Sequence, residues 1–311
     1  FRVSNNNLFS PVKIRGVDFP NRIVVPPMCQ YSAHEGYADD WHLVNLGRFA
    51  MGGAGLIITE ATAVQKKGRI THGCPGIWKD EQIIGHSRIA QFISRNGAIP
   101  GIQLGHAGRK ASMQRPWYGN GPLNEDDFER GDMPWNIVAP SACSVGEGWQ
   151  IPEEMSEEQI CELIDDFIAA ARRAISAGYK VIELHGAHGY LIHSFLSPVS
   201  NKRTDKYGGD LHGRMKLAID ISSALRRSIS DEMPLFFRVS STDNLENGWS
   251  IEDSVELAKE LKKVGVDVID CSSGGISGSA TAASGKRMPG YQVPFAEKIK
   301  QNANVMTMAV G

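Results

Sequence analysis

Residues 183–193, E-L-H-G-A-H-G-Y-L-I-H, place three histidines and a tyrosine within eleven residues, directly after the apolar run K-V-I-E-L. Two small residues separate His185 from His188, and Tyr190 follows two positions later. Two imidazoles and a phenol this close together could bind a metal ion, relay protons or hold a substrate oxygen. All three kinds of site are consistent with the residue types alone.

A metal site is the least favoured of the three. The H-E-x-x-H pattern of helical zinc sites is absent, and His193 falls in the following turn or helix as a structural residue. The only carboxylate beside the pair is Glu183, which we expect to alternate to the other side of the strand. We therefore predict no metal, and a proton relay or an oxygen-binding pair stays open.

The histidine cluster ends one of seven short apolar runs along the chain, at 22–25, 55–59, 99–104, 180–184, 234–239, 266–271 and 305–310. These runs lack strict alternation of apolar and polar residues, which is typical of strands buried on both faces. Amphipathic stretches lie between them. The stretches 156–177 and 250–264 begin at a serine suited to an N-cap and are followed by a glycine. Alternation of strand and helix predicts βα units and a parallel sheet.

Seven βα units favour a (β/α)₈ barrel in one domain over residues 1–311, rather than a doubly wound sheet. The eighth unit is missing from the sequence, and an open arc of strands would leave two unpaired edges. We therefore expect the natural domain to continue beyond Gly311. Residues 112–150 hold prolines and tryptophans without a sustained period, which predicts a long excursion after the third strand.

The composition excludes several classes of protein. Lys plus Arg number 33 against 35 for Asp plus Glu, so the net charge of -2 gives no reason to expect a nucleic acid or an anionic membrane as partner. Five cysteines without a C-x-x-C pair indicate reduced thiols in a cytoplasmic protein. We expect no signal peptide in F-R-V-S-N-N-N-L-F, and no apolar run reaches the roughly 18 residues of a membrane span.

Polar and glycine-rich residues recur directly after the apolar runs, where a barrel of this type builds its active site. Arg238 closes such a run, and a buried guanidinium without a partner is costly, so we expect it to meet an anion or an electron-rich ligand. Gln103 is a weaker candidate of the same kind. Cys29 is equally consistent with a small buried core residue.

Four of these strand-end segments resemble the old yellow enzyme family of flavin ene-reductases: P-P-M-C-Q-Y, G-I-Q-L-G-H-A-G-R-K, the segment from E-L-H-G-A-H-G-Y to K-Y-G-G, and L-F-F-R-V-S. The cysteine of P-P-M-C and the downstream Tyr31 make the chain most similar to the bacterial xenobiotic-reductase-like branch. The resemblance runs from about Leu8 to Gly311. It implies a (β/α)₈ barrel that binds FMN, takes hydride from NAD(P)H and reduces activated alkenes such as α,β-unsaturated carbonyl or nitro compounds.

The resemblance also implies roles for individual residues. His185 and His188 would hold the substrate oxygen, Tyr190 would donate the proton, and Tyr31 would contact the substrate from across the pocket. Arg238 would face the N1 side of the flavin, where a guanidinium stabilises the negative charge of the reduced ring. The other residues that would contact FMN are Pro26, Pro27, Met28, Cys29, Ala61 and Gln103, with Cys29 tuning the ring as a protonated thiol.

The sequence departs from the family pattern at its end. The Gly-Arg pair that would bind the flavin phosphate after the eighth strand is absent, so Gly274, Gly275 and Gly311 are the candidates for phosphate contacts. The resemblance further implies a homo-oligomer, a dimer or tetramer. Two alternatives stay open: a flavoenzyme of the dienoyl-CoA reductase type, and a flavin-binding barrel without catalytic turnover.

Overall fold

The computed structural model describes residues 8–278 and 288–310, which form a curled parallel sheet with helices packed on its outer face. In chain order its strands are β1 (Val12–Ile14), β2 (Val17–Phe19), β3 (Val24–Val25), β4 (Leu56–Ala63), β5 (Ile99–Gly105), β6 (Val138–Ala139), β7 (Glu153–Glu154), β8 (Val181–Gly186), β9 (Leu235–Ser240), β10 (Val268–Ser272) and β11 (Met306–Ala309). The α-helices are α1 (Asp40–Met51), α2 (Ile83–Arg95), α3 (Glu125–Glu129), α4 (Glu157–Ala177), α5 (Leu191–Leu196), α6 (Leu211–Ser228), α7 (Ile251–Lys263) and α8 (Val293–Ala303).

The central sheet has the order β11-β10-β9-β8-β5-β4-β3, and every neighbouring pair is parallel. All seven predicted strands are present, with bounds that differ by a few residues. The largest difference is β4, which continues to Ala63 and is buried throughout. The predicted (β/α)₈ class is confirmed. In the described residues β3 and β11 form the two edges of the sheet, and an eighth unit between them stays a prediction.

Both predicted long helices are present and begin as expected. The Ser156 side chain accepts a hydrogen bond from the amide of Gln159, while Gly178 after the helix adopts the left-handed conformation. Ser250 caps α7 in the same way. The apolar faces of α4, α6 and α7 contribute Phe167, Leu225 and Leu261 to one core, which they share with the outward side chains of the strands. This outer core holds the strands in the curvature that brings their ends together.

The interior of the curled sheet is layered along the strands. Near the strand starts it is apolar, with Leu56, Ile58, Val181, Phe236 and Val268 packed together. Further along the same strands the inward residues become polar: Glu60, Gln103, Glu183, Arg238 and Asp270. Because inward positions recur every second residue, the change from apolar to polar marks the end of the sheet at which ligands can be recognised.

Two features were not predicted from the sequence. The antiparallel hairpin β1–β2 packs through Phe19, Val12 and Ile14 against the apolar layer of the sheet. Arg15 in its turn forms an ion pair of 2.6 Å with Asp267. Strands of three residues are too short to produce a clear periodicity. The second feature is the pairing of β6 with β7, which brings part of the excursion back towards the start of α4.

Helix α4 gives a direct test of the capping that the sequence predicts. Replacing Ser156 by Ala removes the acceptor for the Gln159 amide, and we expect a loss of about 1 kcal/mol in the free energy of unfolding. Ser156→Asp is the matched control, because Asp also caps a helix and should retain most of that stability. Urea unfolding followed by circular dichroism measures both. Equal losses for Ala and Asp would show that the cap contributes nothing.

Candidate active site

Strands β4, β5, β8, β9 and β10 all end at one side of the sheet, which we call the rim. His185, His188 and Tyr190 of the histidine cluster lie at this rim. His185 lies within β8 and faces inward, whereas His188 and Tyr190 follow in the turn before α5. The ring centroid of His185 lies 5.2 Å from that of His188 and 4.9 Å from that of Tyr190, and both pairs are edge-to-face. Three side chains that were predicted to act together are therefore in direct contact.

His185 is held in one tautomer. The backbone N–H of Ala187 donates to its Nδ1 at 3.2 Å, so the proton of the neutral ring must be on Nε2. Burial, and after it the positive charge of Arg238, hold the pKa of His185 well below its usual value. At neutral pH the ring is therefore an uncharged hydrogen-bond donor through Nε2.

His188 is fixed by β9 and β10. Its Nε2 lies 2.6 Å from the hydroxyl of Ser272, and its backbone N–H donates to the hydroxyl of Ser240 at 2.9 Å. His188 has a φ of 61°, a left-handed conformation that is uncommon outside glycine. Burial and Arg238 also hold the pKa of this ring well below its usual value. The strained backbone keeps the second imidazole beside the first.

Tyr190 is only 4 % exposed and packs against Ile70, Cys74 and Ala107. Burial raises the pKa of its phenol well above its usual value, so the group is protonated across the physiological range. A small cavity borders Tyr190, Ala61 and Ile70. A protonated phenol at such a cavity is suited to donate a proton to a bound molecule.

The segment from Pro26 to Tyr31 crosses the rim after β3. Met28 is 44 % exposed, and Cys29 and Tyr31 are half-buried against the cluster that contains Tyr190. Burial, followed by the charge of Glu60, raises the pKa of the Cys29 thiol well above its usual value, so the thiol is protonated. Tyr31 has a φ of 54°, which means that its backbone also needs support from its surroundings.

Glu60 supplies that support and was not selected from the sequence. Its carboxylate accepts the backbone N–H of Gln30 at 2.9 Å and also faces the amide of Tyr31. Burial raises the pKa of Glu60 to about 8, although these two amides partly lower it. The His42 ring lies 3.5 Å away on α1. Thirty residues separate Glu60 from Gln30, which is why no local pattern revealed the contact.

Arg238 and Gln103 face the interior as predicted, but both already have protein partners. Nε of Arg238 lies 3.1 Å from a carboxylate oxygen of Asp270, and the Gln103 amide nitrogen donates to Glu183 at 2.8 Å. Our expectation that Glu183 points away from His185 is wrong, since residues two apart on a strand share a face. We expected Arg238 to meet an anion or an electron-rich ligand, and Asp270 supplies that anion from within the protein.

Two further buried groups position the histidine turn. The His193 ring accepts the Gly189 amide at 2.8 Å and contacts the Asp243 carboxylate at 2.9 Å. Asp243 in turn accepts the Ser197 hydroxyl and the Trp249 amide. Lys110 donates to the carbonyls of His188 and Gly275. The sequence motif G-H-A-G-R-K contains Lys110, but nothing in the motif indicated its distant partners.

The predicted phosphate contacts are not all available. The amide of Gly274 already donates to the carbonyl of Thr242 at 2.8 Å, so this N–H is engaged by the protein. Position 275 requires glycine for two reasons. Its φ of 88° is left-handed, and a Cβ there would lie 2.6 Å from the Cα of His188. Gly311 lies outside the described residues. The Gly274 prediction therefore fails for its amide.

The interior residues fit a flavin. Glu183 Oε2 is buried and has no hydrogen-bond partner among the described residues, and Arg238 contacts Asp270 through its Nε atom. They lie beside a rim formed by Cys29, Ala61 and the two neutral histidines. A planar ligand with an anionic edge would meet the charge of Arg238 and the amide of Gln103.

In residues 8–278 and 288–310, no group of three His, Cys, Asp or Glu side chains could hold a metal ion. No helix in this part of the chain is long and apolar enough to cross a bilayer.

A parallel barrel with this rim defines the class of flavin-binding oxidoreductase barrels. Residues 7–311 match the NADH:flavin oxidoreductase / NADH oxidase family, and the chain belongs to that family. It is 46 % identical over 320 residues to an NADH:flavin oxidoreductase of Gibberella zeae, covering 99 % of this chain and 77 % of the relative. It is 44 % identical over 306 residues to NADPH dehydrogenase of Bacillus subtilis, covering 98 % and 83 %.

Solved structures give the same fold. The old yellow enzyme homologue of Zymomonas mobilis superposes with a TM-score of 0.78 at 24 % identity, over 98 % of this chain and 82 % of that one. A 2-naphthoyl-CoA reductase in complex with 2-naphthoyl-CoA gives 0.85 at 28 % identity, over 97 % of this chain but only 46 % of that larger chain. The resemblance to the old yellow enzyme family is confirmed, together with FMN and NAD(P)H as its cofactors.

Glu60 gives a prediction on pH. A carboxyl whose pKa is raised on folding binds a proton more tightly in the folded state, so stability is full below the unfolded pKa and falls as pH rises towards 8. Between about pH 5 and 7.5, Glu60 should lower the free energy of unfolding of the wild type by about 1.4 kcal/mol per pH unit. Glu60→Gln should remove this contribution. Urea unfolding across that range measures the slope.

The matched control is Glu162→Gln, which removes an exposed carboxylate from α4. We expect this change to leave the slope of the wild-type curve in place. Parallel curves for the wild type and Glu60→Gln would mean that Glu60 is not protonated by folding.

Proposed function

We propose that this NAD(P)H-dependent flavin oxidoreductase is an ene-reductase that acts on activated alkenes, chiefly α,β-unsaturated carbonyl compounds and also nitro compounds. The observation that carries the proposal is the contact between two neutral imidazoles and a protonated phenol at the rim above Arg238. FMN, when bound, accepts hydride from NAD(P)H and passes it to the β-carbon of the alkene.

His185 and His188 bind the substrate oxygen in this proposal. Nε2–H of His185 donates, because its Nδ1 accepts from Ala187. His188 donates from Nδ1 when the Ser272 hydroxyl donates to its Nε2. Donors fixed before the reaction stabilise negative charge that develops on the oxygen, and so make the β-carbon more electrophilic. Because burial and, after it, the charge of Arg238 keep both rings uncharged, they polarise the substrate without releasing a proton.

Tyr190 is the proposed general acid. Its phenol keeps its proton across the physiological range and borders the cavity beside Ala61. The proton goes from the phenol oxygen to the α-carbon, and solvent restores it afterwards. Tyr31 closes the opposite side of the pocket and contacts the substrate, and the protonated Cys29 contacts the flavin without acting as a nucleophile.

The residues proposed to hold FMN surround this rim. Arg238 would meet the edge of the ring that becomes negative, and Gln103 would present its amide oxygen and its second N–H, because one N–H is donated to Glu183. Pro26, Pro27, Met28, Cys29 and Ala61 line the ring. For the phosphate, we retain Gly275 and Gly311 as candidates.

A flavoenzyme of the dienoyl-CoA reductase type is the second candidate, because the 2-naphthoyl-CoA reductase shares the fold closely. The chain covers less than half of that protein, whereas it covers 77–83 % of relatives that are 42–46 % identical to it. We favour the first candidate because the sequence identity to those relatives, 42–46 %, exceeds the 28 % identity to the 2-naphthoyl-CoA reductase. Reoxidation of the reduced flavin by an enoyl-CoA, and not by simple enones, would favour the second candidate.

We also propose a partner, an assembly and a cellular location for the protein. The small-molecule alkene is the proposed partner, together with a second copy of the chain in a dimer or tetramer. A cytoplasmic location rests on the reduced cysteines, of which Cys74 and Cys271 are buried.

Tyr190→Phe separates proton donation from hydride transfer to the flavin. We expect the reoxidation of reduced protein by 2-cyclohexenone to slow by about 10²- to 10⁴-fold. Reduction by NADPH should be unchanged, since that step needs no proton from Tyr190. Anaerobic stopped-flow absorbance measures the two steps separately.

The control is Tyr118→Phe, which removes a phenol that is 40 % exposed on the excursion and should leave both steps unchanged. Unaltered reoxidation in Tyr190→Phe would remove Tyr190 from the role of acid. Equal slowing of both steps would indicate damage to flavin binding instead.

A further inference from the structure

Two buried carboxyl groups lie beside Arg238 in the polar layer of the sheet interior. Asp270 on β10 is in register with Arg238 on β9, and Glu183 on β8 is in register with Gln103 on β5. Arg238 lies 3.1 Å from Asp270, and Gln103 donates to Glu183 at 2.8 Å. The layer therefore holds one guanidinium, one amide and two carboxyls within four adjacent strands.

One positive charge cannot balance two buried negative charges. Both carboxyls are almost fully buried, and an uncompensated charge in such a place costs several kcal/mol, on the order seen for broken buried ion pairs. The system therefore retains a proton, as close carboxyl pairs do. Asp270 contacts Arg238 directly and is the natural site of the remaining charge.

The surroundings of Glu183 favour the same assignment. Its contact is a neutral amide, and its second oxygen has no hydrogen-bond partner in the described part of the chain. Burial, followed by the charge of Asp270, raises the pKa of Glu183 to about 8. Burial also raises the pKa of Asp270, but Arg238, its direct ion-pair partner, lowers it. At neutral pH the layer then consists of a charged Arg238, a charged Asp270 and a neutral Glu183.

We infer that Asp270 is a positioning residue that sets the reduction potential of the bound flavin by partly neutralising Arg238, whereas the neutral Glu183 orients Gln103 without adding charge. This inference rests on the proposed placement of the flavin against Arg238. Positive charge beside the flavin stabilises the reduced, anionic form and raises its potential. Asp270 opposes that field, so the wild-type potential is lower than Arg238 alone would produce.

The sharpest test compares two isosteric variants. Asp270→Asn removes the negative charge and should raise the midpoint potential of bound FMN, with an expected tenfold shift towards the reduced form, or about 30 mV for two electrons. Glu183→Gln replaces one neutral group by another and should leave the potential near that of the wild type. Anaerobic titration against a reference dye, followed by absorbance, measures both holoproteins.

Two outcomes would overturn the inference. An unchanged or lowered potential in Asp270→Asn would show that Asp270 does not oppose Arg238. An increase in Glu183→Gln as large as that in Asp270→Asn would show that the negative charge lies on Glu183 instead.

Infrared spectroscopy tests the charge assignment if Asp270→Asn does not fold. Because Glu60 is a second buried carboxyl group whose pKa is raised to about 8, both proteins compared carry Glu60→Gln. Glu60→Gln at pH 7 should show the carbonyl band of a buried protonated carboxyl group, and the double variant Glu60→Gln/Glu183→Gln should lose it. Absence of that band from Glu60→Gln, or its persistence in the double variant, would contradict the assignment.

Arg238→Lys separates this inference from the proposed function. A change in FMN affinity or potential in Arg238→Lys, with no effect of Asp270→Asn, would contradict only the inference. The charge-removing variant Arg238→Gln tests the placement itself: if it leaves FMN affinity and potential unchanged, the flavin does not lie against Arg238, and the proposed site is wrong.

Discussion

Parallel pairing of seven strands is the constraint on which the candidate site depends. Because all the strands of the central sheet run in one direction, their carboxyl ends meet at one rim. Residues separated by more than fifty positions, such as Cys29, His185 and Arg238, therefore converge there. The apolar layer at the strand starts supplies the burial that holds the sheet. The side chains of the polar layer are therefore available to contact a ligand.

Arg238 couples the electrostatics of the rim to those of the interior. Its charge helps to hold the pKa of His185 and His188 low, and the same charge favours a reduced flavin. In the proposed function, the two neutral imidazoles polarise the substrate and the protonated phenol donates the proton. We infer that Asp270 moderates the charge of Arg238, whereas the neutral Glu183 does not.

Much of the fold could be predicted from the sequence because its signals are local. Buried parallel strands lack alternation, and serine caps with glycine stops bound the long helices, so both kinds of element were recognised. The hairpin β1–β2 was missed because three-residue strands carry too little pattern. The histidine cluster was also local, since His185, His188 and Tyr190 lie within six residues.

The contacts that support the site are long-range, and this is why they were missed or misassigned. Glu60 binds the Gln30 amide, and His193 contacts Asp243 fifty residues later. Asp270 reaches Arg238 only through the register of β9 and β10. Glu183 was placed on the wrong face although the two-residue period of a strand puts it on the side of His185. Gly274 was proposed to contact the phosphate through its backbone N–H, and its bond to Thr242 is not visible in the sequence.

The visible spectrum of the purified protein during one anaerobic cycle tests the central claim most directly. We predict the absorbance of a bound flavin, its loss on addition of NADPH, and its return when 2-cyclohexenone is added in the absence of oxygen. A protein that binds no flavin, or one whose flavin is bleached by NADPH and stays bleached with every activated alkene supplied, would contradict the account.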